Sequence, residues 1–121
     1  MSITGFPVYR PRRTRATENL RAMIRETEVS VKDLIYPLFV VPGENVKHEI
    51  ESLPGNYHWS LDRVMECVDE VVKLGLPAVL LFGVPSYKDA VGSSGWDLNE
   101  PVQQACKLIK AKYPELVIIT D

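Results

Sequence analysis

The 121-residue chain is predicted to be a parallel α/β protein. Three apolar, strand-like runs begin near Ile35, Ala78 and Leu116 and thus recur about every forty residues. A helical pattern of apolar residues lies between each pair of runs. Strands that alternate with helices form right-handed βαβ crossovers, so these observations predict a parallel sheet.

The composition fits one folded unit with no strong overall charge. Hydrophobic residues make up 45% of the chain and the formal net charge is −2, which does not point to nucleic acid or to an anionic membrane surface. The charge is uneven, because the first 25 residues hold six arginines and a single acid, Glu18. These arginines alternate with prolines and threonines rather than lysines and aromatics, so a protein-binding or solvated arm is favoured over a nucleic-acid site.

Cysteine spacing and hydropathy exclude several other classes. Cys67 and Cys106 lie far apart and outside any CxxC pattern, which argues against a metal or redox pair. No apolar run approaches the roughly 20 residues of a membrane span, and the N-terminus lacks the apolar core of a signal peptide. We therefore expect a cytoplasmic protein with no membrane partner.

The N-terminal region is predicted to be an arm that ends in a helix. Residues 1–17 contain glycine and prolines and show no period, which is typical of an extended segment. Thr17 can cap a helix over Glu18–Thr27. Ser30 followed by Asp33 offers a second, weaker helix start.

The first strand and a long loop follow. The apolar run Leu34–Val41 predicts a strand covered on both faces, although Pro37 cannot donate to a sheet. The polar stretch from there to His58 predicts a long loop, and loops of this length are often functional. His48 is isolated in this loop, and His58 precedes a helix start, where a packing or hydrogen-bonding role is expected rather than catalysis.

The next helix and strand have clear limits in the sequence. Ser60 can cap a helix that continues to Leu74, and Gly75 can end it. The short apolar run Ala78–Phe82 predicts the second strand of the repeat. Gly83 begins the turn that closes it.

The last repeat suggests a larger architecture. Asn99 can cap a helix with Pro101 in its first turn, and Leu116–Asp121 predicts a strand. A (β/α)₈ barrel takes about 250 residues, so this chain would supply the first three of eight strands. An open three-stranded sheet is the alternative, but it is small. We expect the chain to be the opening piece of a larger enzyme.

Candidate chemistry lies at the carboxyl ends of the predicted strands, where parallel α/β proteins place their sites. Asp121 could act as a general base, a metal ligand or a phospho-acceptor, but it could equally cap the next turn. Phe82 could form an apolar pocket wall or belong to the core. Lys88 could be a nucleophile in principle, but Asp89 beside it favours the charged form, so a surface lysine is the better prediction. The fingerprints of nucleotide-binding loops, serine hydrolases and HExxH metalloproteases do not occur.

Several consecutive blocks resemble one family. They are Arg10–Arg13 (RPRR), Glu18–Thr27 (ENLRAMIRET), Asp33–Val40 (DLIYPLFV), Leu81–Pro85 (LFGVP) and Pro114–Asp121 (PELVIITD). In this order and spacing they are similar to the porphobilinogen synthases, also called δ-aminolevulinic acid dehydratases. The stretch Gly95–Pro101 departs from the family pattern by carrying Trp96.

The resemblance implies a fold, an activity and an assembly. It implies an arm over residues 1–17 that wraps a neighbouring subunit of an octamer-type homo-oligomer, and a partial TIM barrel, a (β/α)₈ barrel, over residues 18–121. The implied enzyme condenses two 5-aminolevulinate molecules to porphobilinogen in tetrapyrrole biosynthesis, the route to heme, chlorophyll and cobalamin. The family uses two lysines that form Schiff bases, and no lysine of this chain matches either of them. The chain alone is therefore expected to be inactive.

The resemblance also implies site residues and a cofactor. Asp121 matches the catalytic acid on the third strand of the barrel, and Phe82 matches an aromatic residue that lines the substrate pocket. The family uses zinc or magnesium, with ligands in a stretch that follows Asp121, so no metal ligand is predicted within these residues. A non-catalytic assembly module that binds other subunits is the alternative from another functional class.

Overall fold

The computed structural model describes Gly5, Arg10 and residues 12–121. Most of the predicted arm therefore lies outside the described residues. Its described end contains a 3-10 turn at Arg13–Arg15, so this portion is not extended as predicted.

Helix α1 spans Glu18–Met23, and Thr17 caps it as predicted. The backbone amide of Leu20 donates to the Thr17 hydroxyl at 3.2 Å. The helix stops short of its predicted end at Thr27. None of its residues is buried, so no tertiary packing extends a short helix that is only marginally stable by itself.

A single 3-10 turn, Val31–Asp33, takes the place of the second predicted helix start. The Asp33 carboxylate accepts hydrogen bonds from both the amide and the hydroxyl of Ser30, at 2.7 and 3.1 Å. This reciprocal cap is the one that the sequence indicated. The chain then enters the first strand directly.

The three predicted strands form the parallel core of one sheet. They are β1 (Ile35–Val40), β4 (Ala78–Gly83) and β5 (Val117–Thr120). Strand β4 lies between the other two and pairs with both in parallel. The prediction of a parallel sheet built by βαβ crossovers is confirmed.

The predicted long loop contains two short strands instead, which corrects the prediction. Strand β2 (Lys47–Glu49) pairs antiparallel with β3 (Tyr57–Trp59), and β3 pairs parallel with β1. The sheet therefore has five strands in the order β2-β3-β1-β4-β5. Strands of three residues are too short to show a period of two, so only the folded sheet reveals them.

Helix α2 spans Val64–Lys73, and its start differs from the prediction. The Ser60 hydroxyl accepts from the amide of Val46 at 2.8 Å and so does not cap the helix. The end agrees with the prediction. Gly75 has a φ of +81°, and the amide of Leu76 donates to the carbonyl of Val71, which is a Schellman ending.

Helix α3 spans Pro101–Lys112, and its cap residue is Glu100 rather than the predicted Asn99. The amide and side chain of Asn99 both bond to the Asp97 carboxylate, at 2.9 and 3.1 Å. Asn99 thus closes a local turn two residues before the helix begins. The predicted position of Pro101 in the first turn is confirmed.

The core lies between the two long helices and one face of the sheet. Its buried side chains come from alternate positions of β1 and β4 and from the inner faces of α2 and α3; they include Leu38, Val40, Val79, Leu81, Val64, Val68, Val71, Ala105 and Ile109. Strand β4 approaches α3 closely at its end. A Cβ atom on Gly83 would overlap a methyl group of Val102, so a larger residue requires a local shift there.

Across the part of the chain that the structure describes, no helix is long and apolar enough to cross a membrane.

Candidate functional site

The sheet register brings the two predicted site residues together. Leu81 of β4 is the partner of Thr120 in β5, so the next residue of each strand places Phe82 beside Asp121. The amide of Asp121 donates to the carbonyl of Leu81 at 3.4 Å, which continues the pairing to this point. The two side chains share the sheet face that points away from the core.

Two further aromatic side chains belong to the same row. Phe39 of β1 is the register partner of both Phe82 and His58. The rings of Phe39 and Phe82 stack with centroids 5.3 Å apart and planes 18° apart. The His58 ring meets Phe39 edge-on, at 6.1 Å and 83°. These are favourable aromatic geometries, and they create a partly buried apolar wall that leads to Asp121.

The sequence analysis did not place Phe39 and His58 beside the two predicted site residues. The period of two places Phe39 on the face opposite to Leu38 and Val40, so strand alternation could have indicated it. His58 was predicted at a helix entry. Its place in the row depends on the three-residue pairing of β3 with β1, for which the local sequence has no signal.

A buried carboxylate organises the loop between β4 and α3. Glu100 is only 6% exposed, and its side chain accepts hydrogen bonds from the amide of Ser86, at 2.9 Å, and from the Ser86 hydroxyl. These bonds hold the end of β4 to the start of α3. The sequence analysis did not single out Glu100, because a buried acid has no local sequence signature.

Two other charged residues of this loop, Lys88 and Asp89, are exposed. Lys88 is exposed, as expected of a surface lysine. Asp89 accepts from the amide of Ser93 at 2.8 Å, and hydrogen bonds from Ser93 lower the pKa of this carboxyl below its usual value. Asp89 therefore stabilises the turn that it starts.

A cleft of about 530 Å³ lies between the ends of β4, β5 and α3. Its lining includes Asp121, Thr120, Glu100, Val102 and Cys106. Phe82 is not among the lining residues. Asp121 thus lies at the end of β5 where the cleft and the aromatic row meet.

The two thiols lie in surroundings that disfavour the thiolate form. Burial raises the pKa of Cys67 and of Cys106, so both favour the neutral form. Within the described residues, no group of three or more His, Cys, Asp or Glu side chains could hold a metal ion. These residues do not fit a resident three-ligand metal centre.

Comparison with known proteins identifies similar chains. A family model described as delta-aminolevulinic acid dehydratase matches residues 8–121. The delta-aminolevulinic acid dehydratase of Halalkalibacterium halodurans is 50% identical over 112 residues, which cover 93% of this chain and 34% of the relative. That of Synechococcus elongatus is 46% identical over 116 residues, covering 96% and 36%.

A solved structure shows the same arrangement. The crystal structure of delta-aminolevulinic acid dehydratase (porphobilinogen synthase) from Toxoplasma gondii, in complex with the product porphobilinogen, aligns with a TM-score of 0.85 at 28% identity. The match covers 93% of this chain and 32% of that chain. The predicted fold class, a partial (β/α)₈ barrel that is not closed in this chain, is confirmed. The chain spans about a third of the length of these relatives.

Proposed function

The chain belongs to the δ-aminolevulinic acid dehydratase family, and we therefore propose that it forms part of a porphobilinogen synthase. The reaction would condense two 5-aminolevulinate molecules to porphobilinogen in tetrapyrrole biosynthesis. The observation that carries the proposal is the family match over residues 8–121, at up to 50% identity with curated relatives. The activity belongs to a protein about three times longer than the matched region, since the match covers 34% of that relative.

We propose that Asp121 is the catalytic acid and base that this chain contributes. The support is its place directly after β5, at the carboxyl end of the parallel strands, beside an apolar wall. A carboxylate there can hold the ammonium group of 5-aminolevulinate or move a proton to and from it. Phe82, stacked on Phe39, would form the side of the pocket that excludes water from that proton transfer.

A divalent metal, zinc or magnesium, is part of the proposal for the whole enzyme. In the described part of this chain, no cluster of three ligands fits such an ion. No step is therefore assigned to a metal here. The family resemblance alone supports its presence.

We further propose that the protein works as a homo-oligomer held together through its N-terminal arm. The basic segment supports this, because Arg12, Arg13 and Arg15 are all exposed at the described end of the arm. Exposed arginines are common anchors in protein interfaces. The cytoplasmic location and the lack of a nucleic-acid partner stay predictions.

A non-catalytic assembly module is the second candidate. Among the described strands, β5 pairs only with β4, and Val117 and Ile119 are exposed on it. An exposed strand edge can pair with another chain. This reading predicts that the isolated chain inhibits intact oligomers when the two are mixed. A phospho-acceptor role for Asp121 would instead predict labelling by acetyl phosphate, which we do not expect in this family.

A chimera tests the catalytic proposal. Residues 1–121 would replace the corresponding region of the H. halodurans dehydratase, and porphobilinogen formation from 5-aminolevulinate would be measured. We expect the chimera to be active and the isolated 121-residue chain to be inactive, since no lysine here matches the Schiff-base positions of the family. A chimera that assembles like its parent but forms no porphobilinogen would contradict the proposal, and turnover by the isolated chain would contradict the predicted inactivity.

A further inference from the structure

The chain contains two histidines, and the fold places them directly opposite each other on neighbouring strands. His48 of β2 and His58 of β3 are direct register partners in the antiparallel pair. Their neighbours in the register are Lys47 with Trp59 and Glu49 with Tyr57. Directly opposite residues project from the same face of a sheet, so both imidazoles stand on one side of the hairpin.

The backbone bonds define the spacing of this histidine pair. The amide of Ser60 donates to the carbonyl of Val46 at 3.0 Å, and the amide of Ile50 donates to the carbonyl of Asn56 at 2.9 Å. These two bonds flank the pair symmetrically, which makes it a hydrogen-bonded pair with Cα atoms about 5.5 Å apart. Across such a pair the Cβ atoms are about 4.5–5.5 Å apart, so both rings can reach one shared ion.

The surroundings orient one ring and leave the other accessible. His58 is partly buried and its ring meets Phe39 edge-on, whereas His48 is exposed. One imidazole is therefore held by packing and the second can close on an ion from solvent. A partly fixed pair loses less conformational entropy on binding than two free side chains would.

We propose that His48 and His58 form a two-histidine chelate for a borderline transition-metal ion, of the class Cu²⁺, Ni²⁺ or Zn²⁺. Imidazole nitrogen is a preferred ligand of these ions, and water completes the coordination. Hard cations such as Mg²⁺ prefer oxygen and are not expected to bind here. Binding would clamp β2 onto β3 and so stabilise the hairpin against the edge of β1.

This site is distinct from the proposed catalytic position. His58 and Asp121 occupy opposite ends of the row across β3, β1, β4 and the end of β5, with Phe39 and Phe82 between them. Three interstrand spacings separate them by about 14 Å, which is too far for one ion to contact both. The inference is thus independent of the proposed synthase activity.

Electron paramagnetic resonance with Cu²⁺ tests the proposal on the full 121-residue chain without an affinity tag. The remote nitrogen of each bound imidazole modulates the electron spin echo, so the modulation shows how many histidines bind the ion. Frozen samples give this signal whatever the oligomeric state of the chain. We expect one Cu²⁺ per chain with two imidazoles. His48→Gln and His58→Gln should each reduce this to one imidazole or none, and Glu51→Gln, an exposed acid in the hairpin turn, should leave the two-imidazole signal unchanged.

A two-imidazole signal that survives either histidine substitution, or a wild-type signal with fewer than two imidazoles, would overturn the proposal. Equilibrium dialysis against Zn²⁺ gives a second readout. Binding of one equivalent that the double variant H48Q/H58Q abolishes supports the chelate, and equal binding by wild type and double variant contradicts it.

Discussion

Gly83 illustrates how a single residue sets the distance between strand and helix. A Cβ atom at this position would overlap a methyl group of Val102. We expect Gly83→Ala to lower the free energy of unfolding by about 1–3 kcal/mol, because the end of β4 must move away from α3. Urea unfolding measures the loss.

Two matched variants control this test. A Cβ atom at Gly95 would have no neighbouring atom within 4 Å. Gly95→Ala should therefore change the free energy of unfolding by no more than about 0.5 kcal/mol. Val102→Ala in the Gly83→Ala background should recover part of the loss, since it removes the clashing methyl group. A loss of stability in Gly83→Ala no greater than that in Gly95→Ala would contradict the close approach of Gly83 to Val102.

Tyr36 makes the free energy of unfolding depend on pH in the alkaline range. Burial, together with the neighbouring Cys67, raises the pKa of Tyr36 to about 12. An unfolded tyrosine titrates near pH 10, so between about pH 10 and 12 the unfolded chain loses this proton while the folded chain keeps it. Stability from this group is complete below about pH 10 and is lost as the pH rises through about 12.

The variant Tyr36→Phe isolates this effect, because it has no phenol to titrate. Urea unfolding at a series of alkaline pH values should show a smaller loss of stability for the variant than for the wild type. Parallel loss in both proteins would show that Tyr36 does not carry the effect. No other residue has to change for the comparison.

Residue identity indicated only part of the candidate site, whose function stays a prediction. Phe82 and Asp121 end apolar runs, so the strand pattern and the family blocks both indicated them. His58 and Glu100 could not be found in this way. The first depends on pairing between segments that are distant in sequence, and the second depends on burial that only the folded loop creates.

At the scale of elements, the loop between β4 and α3 depends on Glu100. Its buried carboxylate accepts two hydrogen bonds from Ser86. We expect Glu100→Ala to destabilise the fold by about 1–3 kcal/mol, because the Ser86 donors lose their acceptor in a partly buried place. Chemical unfolding measures this, and hydrogen exchange at the Ser86 amide should accelerate in the variant.

The matched control for Glu100 is Glu115, which is exposed in the turn before β5. Glu115→Ala removes the same charge and should leave both stability and the Ser86 amide unchanged. Glu100→Gln keeps one acceptor oxygen and should fall between wild type and Glu100→Ala. Equal effects of Glu100→Ala and Glu115→Ala would show that the loop does not need the buried carboxylate.

The helices and strands were predictable where burial imposes an apolar pattern over many residues. Helix α2 and strands β1, β4 and β5 followed the apolar pattern closely. The errors fell on short or exposed segments. Helix α1 ends early because it buries nothing, and the hairpin of β2 and β3 is stabilised by pairing rather than by its own pattern.

At the scale of the molecule, one sheet face and the β5 edge lack a cover among the described residues. Ile35, Val117 and Ile119 are exposed there. We expect the isolated 121-residue chain to self-associate as its concentration rises, since exposed edges and apolar faces pair with other chains. Sedimentation velocity measures the association.

A charge on the edge strand should weaken this association. Ile119→Lys places a lysine on β5, and Leu74→Lys places one at the exposed end of α2 as a matched control. We expect only the first variant to shift the chain toward monomer. A wild-type chain that stays monomeric and well dispersed at all concentrations would contradict the role assigned to the edge.

The most direct test of the account is the activity of the chimera with Asp121→Asn, compared with the same chimera carrying Asp89→Asn. Both changes neutralise one acid near the carboxyl end of the sheet, but Asp89 is exposed and only stabilises a turn. The account predicts that Asp121→Asn lowers the rate of porphobilinogen formation by about 10²–10⁴-fold, the range of a lost general acid or base, while Asp89→Asn keeps nearly full activity. A chimera with Asp121→Asn that works within a few-fold of its parent would contradict it.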